Sequence, residues 1–133
     1  MIIASKRLLT ALLLIIVYTS IALAQMPRCA ECGMMVDVES RFSSRIVRND
    51  ATLLFCDIGD LLTHLKRKSL TAAGAQVKDH KTGEWIDADK TFYIQAVKSF
   101  KTPMGWGIAA FKDRNEAAAF GSPLDYISMM KAL

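Results

Sequence analysis

The sequence lacks a strong excess of charge once its N-terminal segment is set aside. Of its 17 lysine and arginine residues, only Lys6 and Arg7 lie within residues 1–24, and that segment has no acidic residue. The remaining chain therefore has 15 basic and 13 acidic groups, a net charge of +2. Nucleic-acid-binding domains usually carry a far more basic surface, so the composition predicts no nucleic-acid partner.

The sequence also lacks a hydrophobic run that clearly exceeds the length needed to cross a bilayer. After Lys6-Arg7, an apolar segment at residues 8–17 leads to the small-residue ending Ala22-Leu23-Ala24. This order is typical of a secretory signal peptide, so residues 1–24 are predicted to be cleaved before Gln25. The alternative is an uncleaved N-terminal anchor that would associate the protein with a membrane, because residues 8–24 reach the short limit for crossing a bilayer.

A lipid-attachment motif is missing too, because Met-Pro-Arg precedes Cys29 in place of small residues. The protein is thus predicted to be exported and periplasmic, or tethered there if the leader stays. In an oxidising compartment an even number of cysteines suggests disulfides. The mature chain has three cysteines, and this odd count leaves a thiol whose role needs another explanation. The mature chain also keeps six methionines. The soft sulfur ligands are Cys29, Cys32, Cys56, Met26, Met34, Met35, Met104, Met129 and Met130.

The mature chain is predicted to form an α+β fold from two related hairpin-plus-helix (ββα-type) units, residues 25–73 and 74–133. In the first unit, strands at 42–48 and 51–55 flank the turn Asn49-Asp50, and Asp57 caps a helix. Each unit has about 50 residues, which is marginal for forming a hydrophobic core of its own. The two units are therefore expected to pack together.

The second unit is predicted to repeat this order, with strands at 76–79, 84–86, 91–97 and 107–112. Asp113 and Glu116 form a capping pair for a helix that Gly121 ends. A short terminal helix, to Leu133, is expected to begin at Ser122-Pro123, since proline is favoured in the first helical position.

Residues 29–34, Cys-Ala-Glu-Cys-Gly-Met, form what we call the knuckle. Two cysteines three positions apart on a turn direct both sulfurs at one point, and Gly33 lets the backbone fold back around an ion. Cys56 ends the second predicted strand, so three thiols are expected to converge. Met34 is predicted to be a further soft ligand or ordinary core packing.

The ligand types favour copper over zinc. Zinc prefers four closed tetrahedral ligands, which Cys29, Cys32, Cys56 and His64 can supply. Thioethers bind Cu(I) well and zinc poorly, so the methionines make Cu(I) the predicted ion and zinc the alternative. We expect His64 to pair with Asp60 one helical turn away in preference to ligation, and His80 to be solvated in its turn.

Residues 102–107, Thr-Pro-Met-Gly-Trp-Gly, are called the proline–methionine loop. Proline and two glycines predict a tight exposed turn, with Met104 at its tip as either a further ligand or a core residue. The other candidates are interpreted as hydrophobic core filler: Met35, Met129, Met130, Trp85 and the phenylalanines.

These motifs resemble the NosL family of copper accessory proteins for nitrous oxide reductase. The Cys-Gly-Met run and the helix that starts Phe-Cys-Asp-x-x-Asp-Leu resemble its first half, which is also similar to TRASH/YHS-type metal knuckles with Asp60 where a fourth cysteine often stands. Residues 98–111, with Pro103-Met104-Gly105, resemble its second half. The resemblance covers nearly all of the mature chain.

The resemblance implies a non-enzymatic Cu(I) metallochaperone that delivers copper during maturation of nitrous oxide reductase, in denitrification, or of another exported copper enzyme. Carried over by position, the ligands are Cys32 with Cys29, Met34 and Met104. The chain departs from the family in lacking a lipid anchor, in having Trp106-Gly107-Ile108 where a histidine-containing stretch is common, and in having Cys56.

Two other functions compete with this interpretation. A thiol–disulfide oxidoreductase would use Cys29 and Cys32, but redox C-x-x-C motifs open a helix, and Gly33 with the β-prone stretch beyond it argues against one. A non-catalytic interaction domain stabilised by zinc or by a disulfide is the second alternative.

Overall fold

The computed structural model describes residues 2–24 and 27–133. Helix α1 (Ile2–Ala24) covers the predicted leader. The predicted cleavage position before Gln25 lies outside the described residues, as does Met26. In the part of the chain that the structure describes, no helix combines the length and the apolar character needed to cross a bilayer.

The first hairpin and its helix form as predicted. Strands β1 (Ser44–Val47) and β2 (Thr52–Phe55) are antiparallel, with Ser44 opposite Phe55. Helix α2 (Ile58–Arg67) follows directly, and the Asp57 side chain accepts a hydrogen bond from the Gly59 amide. This cap is effective because the first amides of a helix have no partner within the helix.

The next hairpin joins the same sheet. Strands β3 (Ala75–Lys78) and β4 (Trp85–Asp87) pair antiparallel, and β3 also pairs with β1, which gives the strand order β2-β1-β3-β4. The four-stranded sheet therefore contains strands from both sides of the predicted boundary at residue 73.

A second, two-stranded sheet follows a single 3-10 turn (Ala88–Lys90). It consists of β5 (Phe92–Gln95) and β6 (Ile108–Phe111), and α3 (Arg114–Ala118) follows with the predicted cap Asp113. The mixture of helices and antiparallel sheets confirms the α+β class.

The terminal helix α4 (Tyr126–Ala132) begins later than expected. Asp125 caps it by accepting from the Ser128 amide. Leu124 is still extended at that point, because its backbone exchanges two hydrogen bonds with Tyr93 of β5. The prediction of a start at Ser122-Pro123 was wrong because this tertiary pairing holds the chain out of the helix.

Helix α2 lies at the centre of the main core. Its buried face packs against β1, β2 and β6, so it bridges the two sheets. The largest fully buried apolar side chains of this core come from both sheets and from helices α2 and α4: Ile46, Phe55, Ile58, Leu61, Leu62, Leu65, Val77, Tyr93, Ile108 and Met129. The N-terminal end of α2 is thereby held rigidly beneath the site described next.

A smaller aromatic core surrounds His80. Its ring centroid lies 5.0 Å from that of Phe100 and 5.4 Å from that of Phe111, and Phe42 and Phe120 complete the group. The imidazole Nδ1 is buried and has no hydrogen-bond partner among the described residues. His80 lies in the turn after β3 and is partly exposed, so the prediction that it is solvated was wrong only for the side of the ring that faces the aromatic cluster, where Nδ1 is buried.

Candidate metal centre

The knuckle is a tight turn fixed to strand β2. The Gly33 amide donates to the Cys29 carbonyl at 2.9 Å, and the Cys29 amide donates to the Met34 carbonyl at 2.7 Å. Gly33 adopts φ +76°, a conformation that side chains disfavour. The Ala30 amide donates to Leu54 of β2. No helix begins at Cys29 or Cys32, so the arrangement expected of a C-x-x-C oxidoreductase is missing from these described residues.

Three thiols and one carboxylate meet where the knuckle faces the start of α2. One ligand atom from each of Cys29, Cys32, Cys56 and Asp60 lies within 4.8 Å of the others. We call the three cysteines the cysteine cluster. The Cys32 and Cys56 sulfurs are 3.4 Å apart, and Asp60 Oδ2 accepts from Cys29 Sγ at 3.4 Å and from Cys56 Sγ at 3.6 Å. All three cysteines are free.

Burial keeps the Cys32 and Cys56 thiols protonated in the metal-free protein. Desolvation raises the pKa of the Cys32 thiol and, more strongly, that of Cys56, because a thiolate loses its hydration in the interior. A metal ion must therefore displace protons to bind. Cys29 and Cys56 are buried, whereas Cys32 is only partly covered, so the cluster lies just beneath the surface.

The donor set fits a soft ion. Thiolates suit both Cu(I) and zinc, and three sulfurs can bind Cu(I) with low coordination. The Asp60 carboxylate would also complete a closed tetrahedral zinc site with three thiolates. Asp60 therefore lies where His64 was considered as the fourth ligand of a zinc site.

His64 is engaged elsewhere. Its Nδ1 lies 2.9 Å from Glu31 Oε2, and Arg67 binds both oxygens of the same carboxylate. Hydrogen bonds from Arg67 and then His64 hold the pKa of Glu31 below its ordinary value. The expected His64–Asp60 pair was wrong, because the Asp60 carboxylate turns toward the thiols. Glu31, between the two knuckle cysteines, instead attaches the knuckle to α2.

The proline–methionine loop docks against the same end of α2. The Met104 amide donates to Asp57 Oδ2 at 2.9 Å, and Trp106 Nε1 donates to Asp60 Oδ1 at 2.9 Å. A Cβ atom built on Gly59 would lie 2.0 Å from Cγ of Trp106, so the indole ring rests directly on the glycine backbone. Residues 46 and 47 positions apart in sequence thus form one site.

The methionines differ in exposure. Met104 is 42% exposed and Met34 is 49% exposed, so neither is a core residue and both thioethers are accessible on the segments that flank the cluster. Met35 is 57% exposed, which contradicts its interpretation as core filler, whereas Met129 is fully buried as predicted. The structure brings Cys29, Cys32 and Cys56 together, and ligand roles for Met34 and Met104 stay predictions.

Asp60 and Trp106 are the residues that sequence reasoning did not include in the site. Asp60 lies in the first turn of α2, four residues after Cys56, which precedes the helix cap, and this spacing was a usable signal. Nothing local indicates Trp106, because its contacts with Gly59 and Asp60 arise only from the tertiary fold.

The profile of one protein family, described as NosL, matches residues 20–123. This region includes the knuckle, Cys56, Asp60 and the whole proline–methionine loop. No curated protein and no solved structure matches the chain.

Proposed function

Because the chain belongs to the NosL family, we propose that it binds Cu(I) through Cys29, Cys32 and Cys56 and passes the ion to an exported copper enzyme. The single observation that carries the proposal is the convergence of three free thiols just beneath the surface, beside two exposed methionines. Family membership supports copper as the ion.

The mechanism is a stepwise exchange of ligands. The cysteine thiols lose their protons as Cu(I) binds, and a low-coordinate sulfur site leaves room for an incoming donor. Met34 and Met104 offer accessible thioethers at the edge of the cluster, where they would accompany the ion as it leaves. An acceptor with stronger or more numerous ligands then takes the ion, and the chain itself catalyses no reaction.

Nitrous oxide reductase is the client that the family resemblance indicates. Export across the inner membrane, directed by residues 1–24, would place the protein in the periplasm with that client. Another periplasmic copper enzyme could receive the ion there as well. Copper transfer from the loaded protein to copper-depleted nitrous oxide reductase tests this step directly. If the reductase stays empty while another exported copper enzyme is filled, the client assignment is wrong.

Zinc is the competing ion, and the Asp60 carboxylate in the cluster is the observation that favours it. The two ions are distinguished by titrating the reduced protein with Cu(I) in the presence of a competing chelator, with and without equimolar zinc. We expect Cu(I) to displace zinc completely. Retention of zinc in the presence of chelator-buffered Cu(I) would favour the zinc-stabilised interaction domain.

The cysteines are tested by the double variant Cys29→Ala/Cys32→Ala. We expect the Cu(I) affinity to fall by more than about a hundredfold, because the loss of groups that only support metal ligands already costs that much. Met104→Leu tests the thioether with a side chain of similar size, and Met35→Leu is its matched control. Unchanged affinity and transfer rate in Met104→Leu would rule out its ligand role, and unchanged affinity in the cysteine variant would rule out the proposed site.

A further inference from the structure

Asp60 connects two parts of the site that are distant in sequence. Its Oδ2 accepts from the Cys29 and Cys56 thiols, and its Oδ1 accepts from the Trp106 indole N–H. The two oxygens belong to one carboxylate, so the cysteine cluster and the proline–methionine loop share a single anchor. Asp60 is buried, and its position is fixed by the first turn of α2.

Trp106 is held in one place by its packing. The indole ring lies on Gly59, where even a methyl group would overlap it. The Gly107 amide closes the loop on Thr102 Oγ1 at 3.1 Å, and the Met104 amide is bound to Asp57. Among the hydrogen bonds described, only the one from the indole joins the loop directly to the Asp60 carboxylate beside the thiols.

We propose that Trp106, acting through Asp60, is a positioning residue that holds the proline–methionine loop against the cysteine cluster and slows the departure of bound Cu(I). This inference rests on the proposed function, since the ion is its cargo. The loop must move before an acceptor reaches the thiolates from that side. The hydrogen bond from the indole to Asp60 Oδ1 does not depend on the thiol protons that Cu(I) displaces, so it remains in the loaded protein and opposes that movement.

The first test is the rate of Cu(I) release. The loaded full chain is mixed with an excess of neocuproine, an uncharged Cu(I) chelator, and the coloured complex is followed with time. Trp106→Phe keeps a ring on Gly59 but removes the donor, and should release Cu(I) about tenfold faster, as expected for one lost hydrogen bond to a charged group. The matched control is Trp85→Phe, since Trp85 lies on β4, stacked 4.1 Å beneath the Arg45 guanidinium. Equal rates in the two variants would overturn the proposal.

The second test asks whether Trp106 acts through Asp60. In a double-mutant cycle, Trp106→Phe should change the release rate in the native background and leave it unchanged in Asp60→Ala, because the shared partner is already absent. An equal acceleration in both backgrounds would show that the indole acts by another route, and would overturn the assignment to Asp60.

The third test needs no variant of Asp60 and has a spectroscopic readout. Ag(I) is a closed-shell stand-in for Cu(I) that quenches nearby tryptophan fluorescence. Trp85→Phe, which keeps Trp106, should lose emission with one equivalent of Ag(I), and Trp106→Phe, which keeps Trp85, should not. This difference would show that the indole lies beside the bound ion, while the release rates report the positioning role, and equal quenching of the two variants would contradict the proposed position of the indole.

The results also separate this inference from the proposed function. If the reduced native chain binds neither Cu(I) nor Ag(I), both proposals fail together. If it binds both ions and Trp106→Phe behaves like Trp85→Phe in release and in fluorescence, the metal site stands and only the positioning role fails.

Discussion

Three carboxylate side chains join the segments that form this site. Asp57 caps α2 with one oxygen and receives the Met104 amide with the other, and Asp60 divides its two oxygens between the thiols and Trp106. Glu31 gives both of its oxygens to Arg67 and one of them also to His64. Each of these acids links α2 or its cap to the knuckle or to the proline–methionine loop.

His80 gives a prediction at the scale of one residue. Burial, and then the nearby Arg41 charge, lower its pKa from 6.5 despite the opposing effect of Asp79. The unfolded chain therefore binds a proton more readily than the folded protein, so the stability contributed by neutral His80 is complete above about pH 6.5 and is lost as the pH falls through the lowered pKa.

His80→Phe removes this titration and keeps an aromatic ring in the cluster. Chemical unfolding at pH 7.5 and 5.5 should show a smaller loss of unfolding free energy in the variant than in the native protein. The comparison cancels His64 and Glu31, which are common to both proteins. An equal loss in the two proteins would mean that His80 is protonated without cost in the fold.

At the scale of elements, the contact between α2 and the proline–methionine loop depends on the absence of a side chain at Gly59. Gly59→Ala forces its Cβ into the Trp106 ring, and overpacking of this kind costs about 1–3 kcal/mol. In a Trp106→Ala background the overlap is gone, and alanine should stabilise the helix by up to about 1 kcal/mol. Urea denaturation of the four proteins measures both effects, and the same sign in both backgrounds would contradict the packing described.

At the scale of the whole molecule, metal binding is coupled to pH. The thiol pKa values of Cys32 and Cys56 are raised by burial, so both thiols carry protons through the neutral range and must release them to the solvent when Cu(I) binds. Because each of these two thiols releases one proton, the apparent Cu(I) affinity should rise at least about a hundredfold per pH unit between pH 6 and 8. Competition titrations against a chelator of known pH dependence provide the measurement, with Cys56→Ser expected to show a shallower slope. An affinity independent of pH would mean that the thiols are already ionised.

The sequence predicts local structure better than long-range pairing. Hairpin residues around Asn49-Asp50 and the caps Asp57 and Asp113 determine their own elements, so these were predicted correctly. The pairing of β3 with β1, and the docking of Trp106 on Gly59, depend on segments that meet only after folding. The hairpin–helix order allowed the convergence of the three thiols to be predicted from the sequence, and the position of Asp60 four residues after Cys56 offered a signal for its place in the site. Trp106 could not be assigned, because its contacts arise only after folding.

The pairing of β3 with β1 has a consequence for the order in which the protein is made. Synthesis delivers the knuckle, Cys56 and β1 first, and β1 then has an open hydrogen-bonding edge until β3 arrives. The Trp106 contact comes about 30 residues later still. Until then the thiols of a nascent chain lack the proline–methionine loop beside them. A factor that prevents premature oxidation or binding of the wrong metal would therefore act during that interval.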